Sequence, residues 1–486
     1  MEIVAPAGNL EKLTYAYEYG ADAAYIGLKR FSLRVKADNF YEDEYKKIIE
    51  LKNNHPGKKL FCALNITFHN KDIEHFISEI DYFKEYPIDS FIVQDIGMVR
   101  LIQKYFPNAA LHLSTQANCI NSEAVKMYRD LGFKRVVLGR EASLAEIRQI
   151  KDAVPEMELE VFGHGAMCVS YSGRCLLSAY MNGRSANGGF CSHSCRWDYD
   201  LLSTPNGAKK LAESGELVLR EHQRPDEYFP VFEGENFTAI LSSKDLCMID
   251  HLDDMVKAGV DSLKIEGRMK SIYYVALVTR AYRKAIDALE GKISLEEANP
   301  YIDELENVSH RECTTGFYYR REDADKTTVG ASDSKYVLVA QIHNSLSEKE
   351  QDELFNLGQK TYSDFYAQID AMHPAAKEAR LKDLEMNPEK KVFAFEKNEG
   401  WSMYEFTALN KIDTSMDLEF VSSEFVSKIV KAGEWKLINF EDGTSTEWTC
   451  NGHPVVLYIK HKLPNNTLVR MVDPDYKEGV IRDYGR

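Results

Sequence analysis

Over roughly the first 165 residues, short apolar runs alternate with amphipathic stretches, and each apolar run ends in polar residues or glycine. The runs cover 2–5, 24–28, 59–65, 90–93, 110–114, 135–138 and 159–162, and after a long excursion 262–266 supplies an eighth. Short runs bounded by turn formers predict buried strands, and the spacing between them predicts helices. Eight such strands with intervening helices predict an α/β protein built on a (β/α)8 TIM-like barrel. An open doubly wound sheet usually carries a glycine-rich phosphate loop after its first strand, and APAGNL is no such loop. Helical stretches at 273–289 and 302–308 are expected to close the domain.

The excursion, roughly 165–255, is expected to be an insertion between strands 7 and 8, on the barrel face where βα loops converge and barrel chemistry sits. It contains a turn-rich polar stretch and an extra strand pair near 217–220 and 237–241. The charged, Ser- and Thr-rich segment RREDADKTTVGASDSK marks a boundary, so the catalytic barrel is expected over 1–325 and a second domain over 336–486. In that second domain the runs at 336–342, 392–395, 404–407, 418–421, 435–438, 453–458 and 468–471 are short and alternating, which predicts a small β-barrel or sandwich. A charged helical stretch at about 345–385 interrupts them, its charges forming a solvated face.

Composition narrows the class. With 486 residues, 44% of them apolar, the chain can bury a large core in more than one domain. A net charge of −16 and a pI near 5.4 discourage bulk binding to nucleic acid, which needs clustered Lys and Arg, yet allow a local cationic rim. No run of about 18 apolar residues and no basic leader is present, so a membrane span and export are not expected and a cytoplasmic address is.

The densest chemistry lies in the excursion. Cys168, Cys175, Cys191 and Cys195 follow C-x6-C-x15-C-x3-C in a glycine-rich stretch. Four thiolates so close together in a reducing compartment suit an iron–sulfur cluster or a tetrahedral zinc. Zinc knuckles pair their ligands as C-x2-4-C, so the wider spacings favour iron–sulfur, with zinc and plain buried thiols as the alternatives. Cys62, Cys119, Cys247, Cys313 and Cys450 are scattered like ordinary core thiols, although Cys247 could serve as a reserve ligand in place of Cys195.

The strand ends form a second constellation. Asn65 ends the third strand, Gln94 and Asp95 the fourth, Ser114 and Gln116 the fifth, Arg140 and Glu141 the sixth, His164 the seventh, and Lys264, Glu266 and Arg268 the eighth. Arg34, just past the second strand, is expected to point into the same mouth. A polar ring of this kind suits a small polar or anionic substrate. The plainer reading makes Lys264–Glu266 and Arg140–Glu141 structural ion pairs. No G-x-S-x-G or H-E-x-x-H protease motif occurs.

Five segments in order, APAGNLEKLTYAYEYGADAAYIGLKRFSLR, HLSTQAN, EVFGHGAMCVSYSGRCLLSAYMNGR, CSHSCRWDY and SLKIEGRMKSIYYVALVTRAYRKAID, resemble the U32 peptidase family, collagenase-like by its historical name. Among its branches the likeness is greatest to the one that makes 5-hydroxyuridine at the tRNA wobble position. It covers residues 1 to about 320. The resemblance implies a 4Fe-4S cluster on Cys168, Cys175, Cys191 and Cys195, oxygen-independent ring hydroxylation, prephenate as oxygen donor, and tRNA as partner. Other branches act on ribosomal RNA cytidine or the ubiquinone ring. The intact CSHSC pair favours the tRNA branch, and a second family member is a possible partner subunit. In this frame Arg34, Lys264 and Arg268 are expected to bind anions, and Gln116, His164 and Glu266 to orient substrate or transfer protons. Asn65, Ser114, Arg140 and Glu141 are expected to complete the substrate contacts, with the C-terminal domain positioning the RNA. A U32-type peptidase is the competing expectation.

Overall fold

The computed structural model describes residues 1–28, 31–33, 40, 43–197, 199–203, 217–222, 228–231, 233–234, 237–238, 243–324, 334–473 and 476. Eight parallel strands close on themselves: β1 (Glu2–Pro6), β2 (Ala23–Ile26), β3 (Lys59–Leu64), β4 (Ser90–Val93), β5 (Ala110–Leu113), β6 (Arg135–Val137), β7 (Glu158–Ala166) and β8 (Ser262–Ile265). Each pairs with the next, and β8 pairs with both β7 and β1, so no barrel edge is left. The strands are almost wholly buried, as expected where helices cover the outside. Side-chain caps start the crossover helices just past the strands. Asn9 accepts from Lys12 N, Asp95 from Gly97 N, Asn121 from Ala124 N and Ser143 from Glu146 N. These satisfy otherwise orphaned helix N–H groups. Asp95, a site candidate by position, is therefore a helix cap.

β7 continues four residues past the expected end at Phe162. There a strand Asp245–Cys247 joins it antiparallel, with Cys247 opposite His164, and Cys313–Thr314 adds in parallel to that strand. The cysteine-bearing segment leaves the barrel from the end of β7. Within the insertion the expected strand pair is not formed among the described residues. Leu217–Glu221 pairs with Tyr199–Ser203 and Tyr228–Val231, whereas Phe237–Thr238 pairs with Glu233–Gly234. The partners of short strands like these are set by the turns that bring them together, which apolar alternation does not encode.

The chain divides into two compact units, the second spanning Ser334–Tyr476. The described residues of that unit form a nine-stranded sheet, whose long strands Tyr336–Ser345, Ser402–Ala408, Val455–Ile459 and Thr467–Val472 pair antiparallel, and a two-stranded sheet of Ile412–Asp413 with Trp448–Thr449. One apolar cluster centres on Trp435, Phe420, Leu437 and Leu457. The charged helical stretch forms two helices, Glu348–Asp370 and Pro374–Met386. The first lays Leu354 and Phe355 against Phe395, Met403 and Ile438, so it covers part of the sheet while its charges face water. Among the described residues no helix is long and apolar enough to cross a membrane.

Candidate active site at the barrel mouth

The C-terminal ends of the strands surround a cavity of about 570 Å³, counting its open mouth. Tyr25, Asn65, Ile92, Ser114, Thr115, Gln116, Val137, Arg140, Phe162, Lys264, Glu266 and Arg268 are among the residues that line it. Seven of the polar residues expected from strand-end position thus share one wall: Asn65, Ser114, Gln116, Arg140, Lys264, Glu266 and Arg268. Arg34 lies outside the described residues.

A buried ion network forms the floor. Glu160, fully buried on β7, accepts from Lys264 Nζ at 2.7 Å and Arg135 Nη1 at 2.9 Å. Arg135 also reaches Glu2 at 2.5 Å and Glu158 at 2.7 Å. Burial pushes the Glu160 carboxyl up, but Lys264 and Arg135 outweigh it and hold it at about 2. Nearby His112 is pushed down to about 3, first by burial and then by the Arg135 cation. Lys264 is thereby held in place over Glu160, its Nζ also 4.3 Å from the Tyr25 ring centroid. The expected Lys264–Glu266 pair is replaced by Lys264–Glu160, because both side chains point into the barrel from neighbouring strands.

The wall is built differently. Arg140 stacks its guanidinium 3.8 Å from the Phe162 ring centroid and reaches Glu266 at 3.4 Å. It does not pair with Glu141, whose carboxylate instead accepts from Ser172 N at 2.5 Å and from Asn118 at 3.2 Å. Glu141 is a tether for the cysteine-bearing segment and lines an adjoining cavity with Cys168, Tyr171 and Ser172. Arg268 is buried and donates to Ser32 Oγ at 2.8 Å. Asn65 Oδ1 accepts from Leu33 N at 3.2 Å, and Ser114 Oγ from Gln116 N at 3.2 Å. The lining carries three cations and one carboxylate, with Glu160 balancing Lys264 from below, so the cavity offers N–H donors to a small anionic or polar ligand.

His164 is not among the lining residues, contrary to expectation. The β7–β8 register slips between Lys264 and Ile265, so that Phe162 faces Lys264 while His164 faces Ile265, with Gly163 as the extra residue. Such a bulge re-aims the next side chain. The His164 ring packs against Tyr274 and Tyr282, with Nδ1 3.3 Å from the Tyr282 hydroxyl. Cys247 belongs to the same neighbourhood. A hydrogen bond from Cys313 holds its thiol below the ordinary value, against burial and with help from His164. Cys247 Sγ also lies 3.9 Å from the Tyr282 hydroxyl.

The quartet rides on a segment anchored across the mouth. Arg140 N donates to Ser172 Oγ at 3.3 Å and Thr67 N to Asn187 O at 2.9 Å. Gly173, at φ +74°, lies so close to Gln116 that an added Cβ would sit 1.9 Å from its carbonyl oxygen. Cys168 is exposed and Cys175, Cys191 and Cys195 are half-buried. As a donor set, four thiols on one segment fit an iron–sulfur cluster or tetrahedral zinc. Among the described residues, however, no three or more His, Cys, Asp or Glu side chains stand in metal-ligating geometry. Holding such a group therefore requires the loops bearing these cysteines to draw together.

Sequence position missed Tyr25, Ile92, Thr115, Val137 and Phe162, the part of the wall that packs or stacks, and it missed the Glu160–Arg135 floor. Glu160, a carboxylate in the middle of the apolar run of β7, was the available signal, since a buried carboxylate needs internal partners.

A closed barrel with a cationic mouth beneath a cysteine-rich strap defines the class: a (β/α)8 protein with a site for a small anionic or polar ligand at its C-terminal face. The profile of Peptidase family U32 matches residues 8–328, and the chain belongs to that family. It is similar to tRNA hydroxylation protein P of Escherichia coli (strain K12), at 40% identity over 347 residues, 67% of this chain and 76% of that protein. Similarity to tRNA hydroxylation protein P1 of Bacillus subtilis (strain 168) is 40% over 321 residues, 65% of this chain and 70% of that one. The 23S rRNA 5-hydroxycytidine C2501 synthase of Escherichia coli (strain K12) is 33% identical over 341 residues, 69% of this chain and 47% of that protein.

Proposed function

We propose that this chain is a tRNA-modifying hydroxylase that forms 5-hydroxyuridine at the wobble position, with prephenate as oxygen donor and a 4Fe-4S cluster on Cys168, Cys175, Cys191 and Cys195. The observation that carries the reading is the cavity wall, where Arg140, Lys264 and Arg268 face neutral Asn65, Ser114 and Gln116 around one carboxylate, Glu266. The names of the relatives support hydroxylation of RNA.

Arg140, Lys264 and Arg268 hold the carboxylates of the donor, with Lys264 positioned by Glu160 beneath it. Gln116 and Asn65 present amide groups that match the edge of a pyrimidine, which must leave its stack to enter. Glu266 holds Arg140 in place and is the carboxylate positioned to take or return a proton. Cys168, Cys175, Cys191 and Cys195 would hold the cluster, which would supply redox or Lewis-acid chemistry. A peptidase would need a nucleophile hydrogen-bonded to a base, whereas Ser114 Oγ accepts from Gln116 N and Thr115 Oγ1 donates to the Leu138 carbonyl.

Two measurements test the reading together. Anaerobically purified protein should carry iron and sulfide, with the iron lost in a Cys191→Ser variant; zinc alone would refute the cluster. Nucleoside mass spectrometry of tRNA from a strain lacking the gene and any paralogue should show loss of 5-hydroxyuridine derivatives. Their persistence would refute the assignment.

A further inference from the structure

In a chain of net charge −16, residues 161–197 contain no aspartate or glutamate. The same segment exposes Arg174 and Arg184. It also exposes Tyr171 (62%), Leu176 (73%), Tyr180 (76%) and Phe190 (47%). Single exposed apolar residues are ordinary, but a series on one segment, moored around a cavity mouth at Thr67, Gln116 and Glu141, marks an interaction surface. In the short helix Leu177–Asn182 the buried residue is Ser178, so Tyr180 is turned away from the protein.

Exposed aromatic faces interleaved with guanidinium groups and free of carboxylates match single-stranded nucleic acid. Bases of any identity stack on the rings, arginines take the phosphates, and the segment itself brings no acidic side chain to repel the backbone, the neighbouring Glu141 being held by Ser172 N and Asn118. Charge complementarity argues against an acidic face of this same chain needing aromatic rings, and for a polyanion with planar bases. Resting on the reading of an RNA substrate, we infer that residues 171–190 form a stacking rim that grips the unpaired nucleotides flanking the base delivered to the cavity. Tyr171, Tyr180 and Phe190 stack bases, and Arg174 and Arg184 contact phosphates.

The test uses the full-length protein and a fluorescein-labelled tRNA anticodon stem-loop, with a duplex of the same composition as control, followed by anisotropy. Tyr180→Ala and the double variant Arg174→Ala/Arg184→Ala alter exposed side chains, and thermal melting checks that each folds as the parent does. The inference expects tighter binding of the stem-loop than of the duplex. It expects affinity to fall about tenfold or more in Tyr180→Ala, and a shallower salt dependence in the double variant. If the parent binds the stem-loop and both variants bind it within twofold, the rim is wrong while the RNA reading stands. If the parent binds neither stem-loop nor whole tRNA, the RNA reading fails and takes the rim with it. If Tyr180→Ala instead abolishes self-association and leaves RNA affinity unchanged, the surface joins copies of the chain and the inference is overturned.

Discussion

Replacing Glu160 with glutamine keeps the shape of the barrel floor and removes the charge that Lys264 and Arg135 share. The side chain is fully buried, with those two cations at 2.7 and 2.9 Å. A carboxyl held at about 2 in place of the ordinary 4.5 corresponds to about 3 kcal/mol of stabilisation at neutral pH. Removing one partner of a buried pair commonly costs a similar amount, because the remaining charge is stranded. The second compact unit complicates a global melt, so hydrogen exchange of β6, β7 and β8 amides by mass spectrometry is the direct assay. Exchange through barrel opening should quicken about a hundredfold in Glu160→Gln at pH 7. Glu158→Gln removes a half-exposed partner of the same arginine, where screening makes pairs weak, and should change exchange severalfold at most. The pH dependence has a definite sign. Since the Glu160 pKa is depressed on folding, its contribution is complete above about pH 4.5 and is lost as pH falls toward 2. His112, held near 3, stays neutral while the unfolded chain takes up a proton, so stability also falls between about pH 6.5 and 3. The variant should lose the first slope and keep the second. Parent-like exchange in Glu160→Gln, within threefold, would refute an ion network that holds the barrel shut.

Two further substitutions probe packing. Gly173→Ala places a methyl group against the Gln116 carbonyl at a left-handed backbone position, so the cysteine-bearing segment should lift from the mouth. Trypsin should then cut at Arg174 and Arg184 about tenfold faster at unchanged circular dichroism, and unchanged cleavage would show that the contact does not moor the segment. Gly358→Ala puts a Cβ 2.0 Å from the Gly443 carbonyl oxygen, prying the helix Glu348–Asp370 off its sheet. Overpacking of this kind costs about 1–3 kcal/mol. Tryptophan fluorescence, which Trp401, Trp435 and Trp448 place largely in this unit, should report a lowered urea midpoint.

The barrel was legible because its strands are short apolar runs ending in polar residues, a pattern local sequence carries directly. The ring of polar strand ends was legible for the same reason, since a closed parallel barrel sends every strand's C-terminal residues to one mouth. The partners were not. Arg140 meets Glu266, 126 positions away, and Lys264 meets Glu160, 104 positions away, instead of their sequence neighbours. Which of two nearby carboxylates a cation takes depends on the stagger of β6, β7 and β8, which no single strand encodes.

Taken alone, the chain determined its alternation of strand and helix, its family, the seven polar residues that share the cavity wall, and the gathering of four thiols on one segment. Those follow from side-chain polarity and spacing, which act over a few residues. Tertiary structure decided that one extra residue in β7 turns His164 away from the mouth, that Glu160 anchors Lys264 from below, and that Cys247 takes a hydrogen bond from Cys313 beside His164. Each of these depends on register between segments distant in sequence, and register is settled only when the sheet closes.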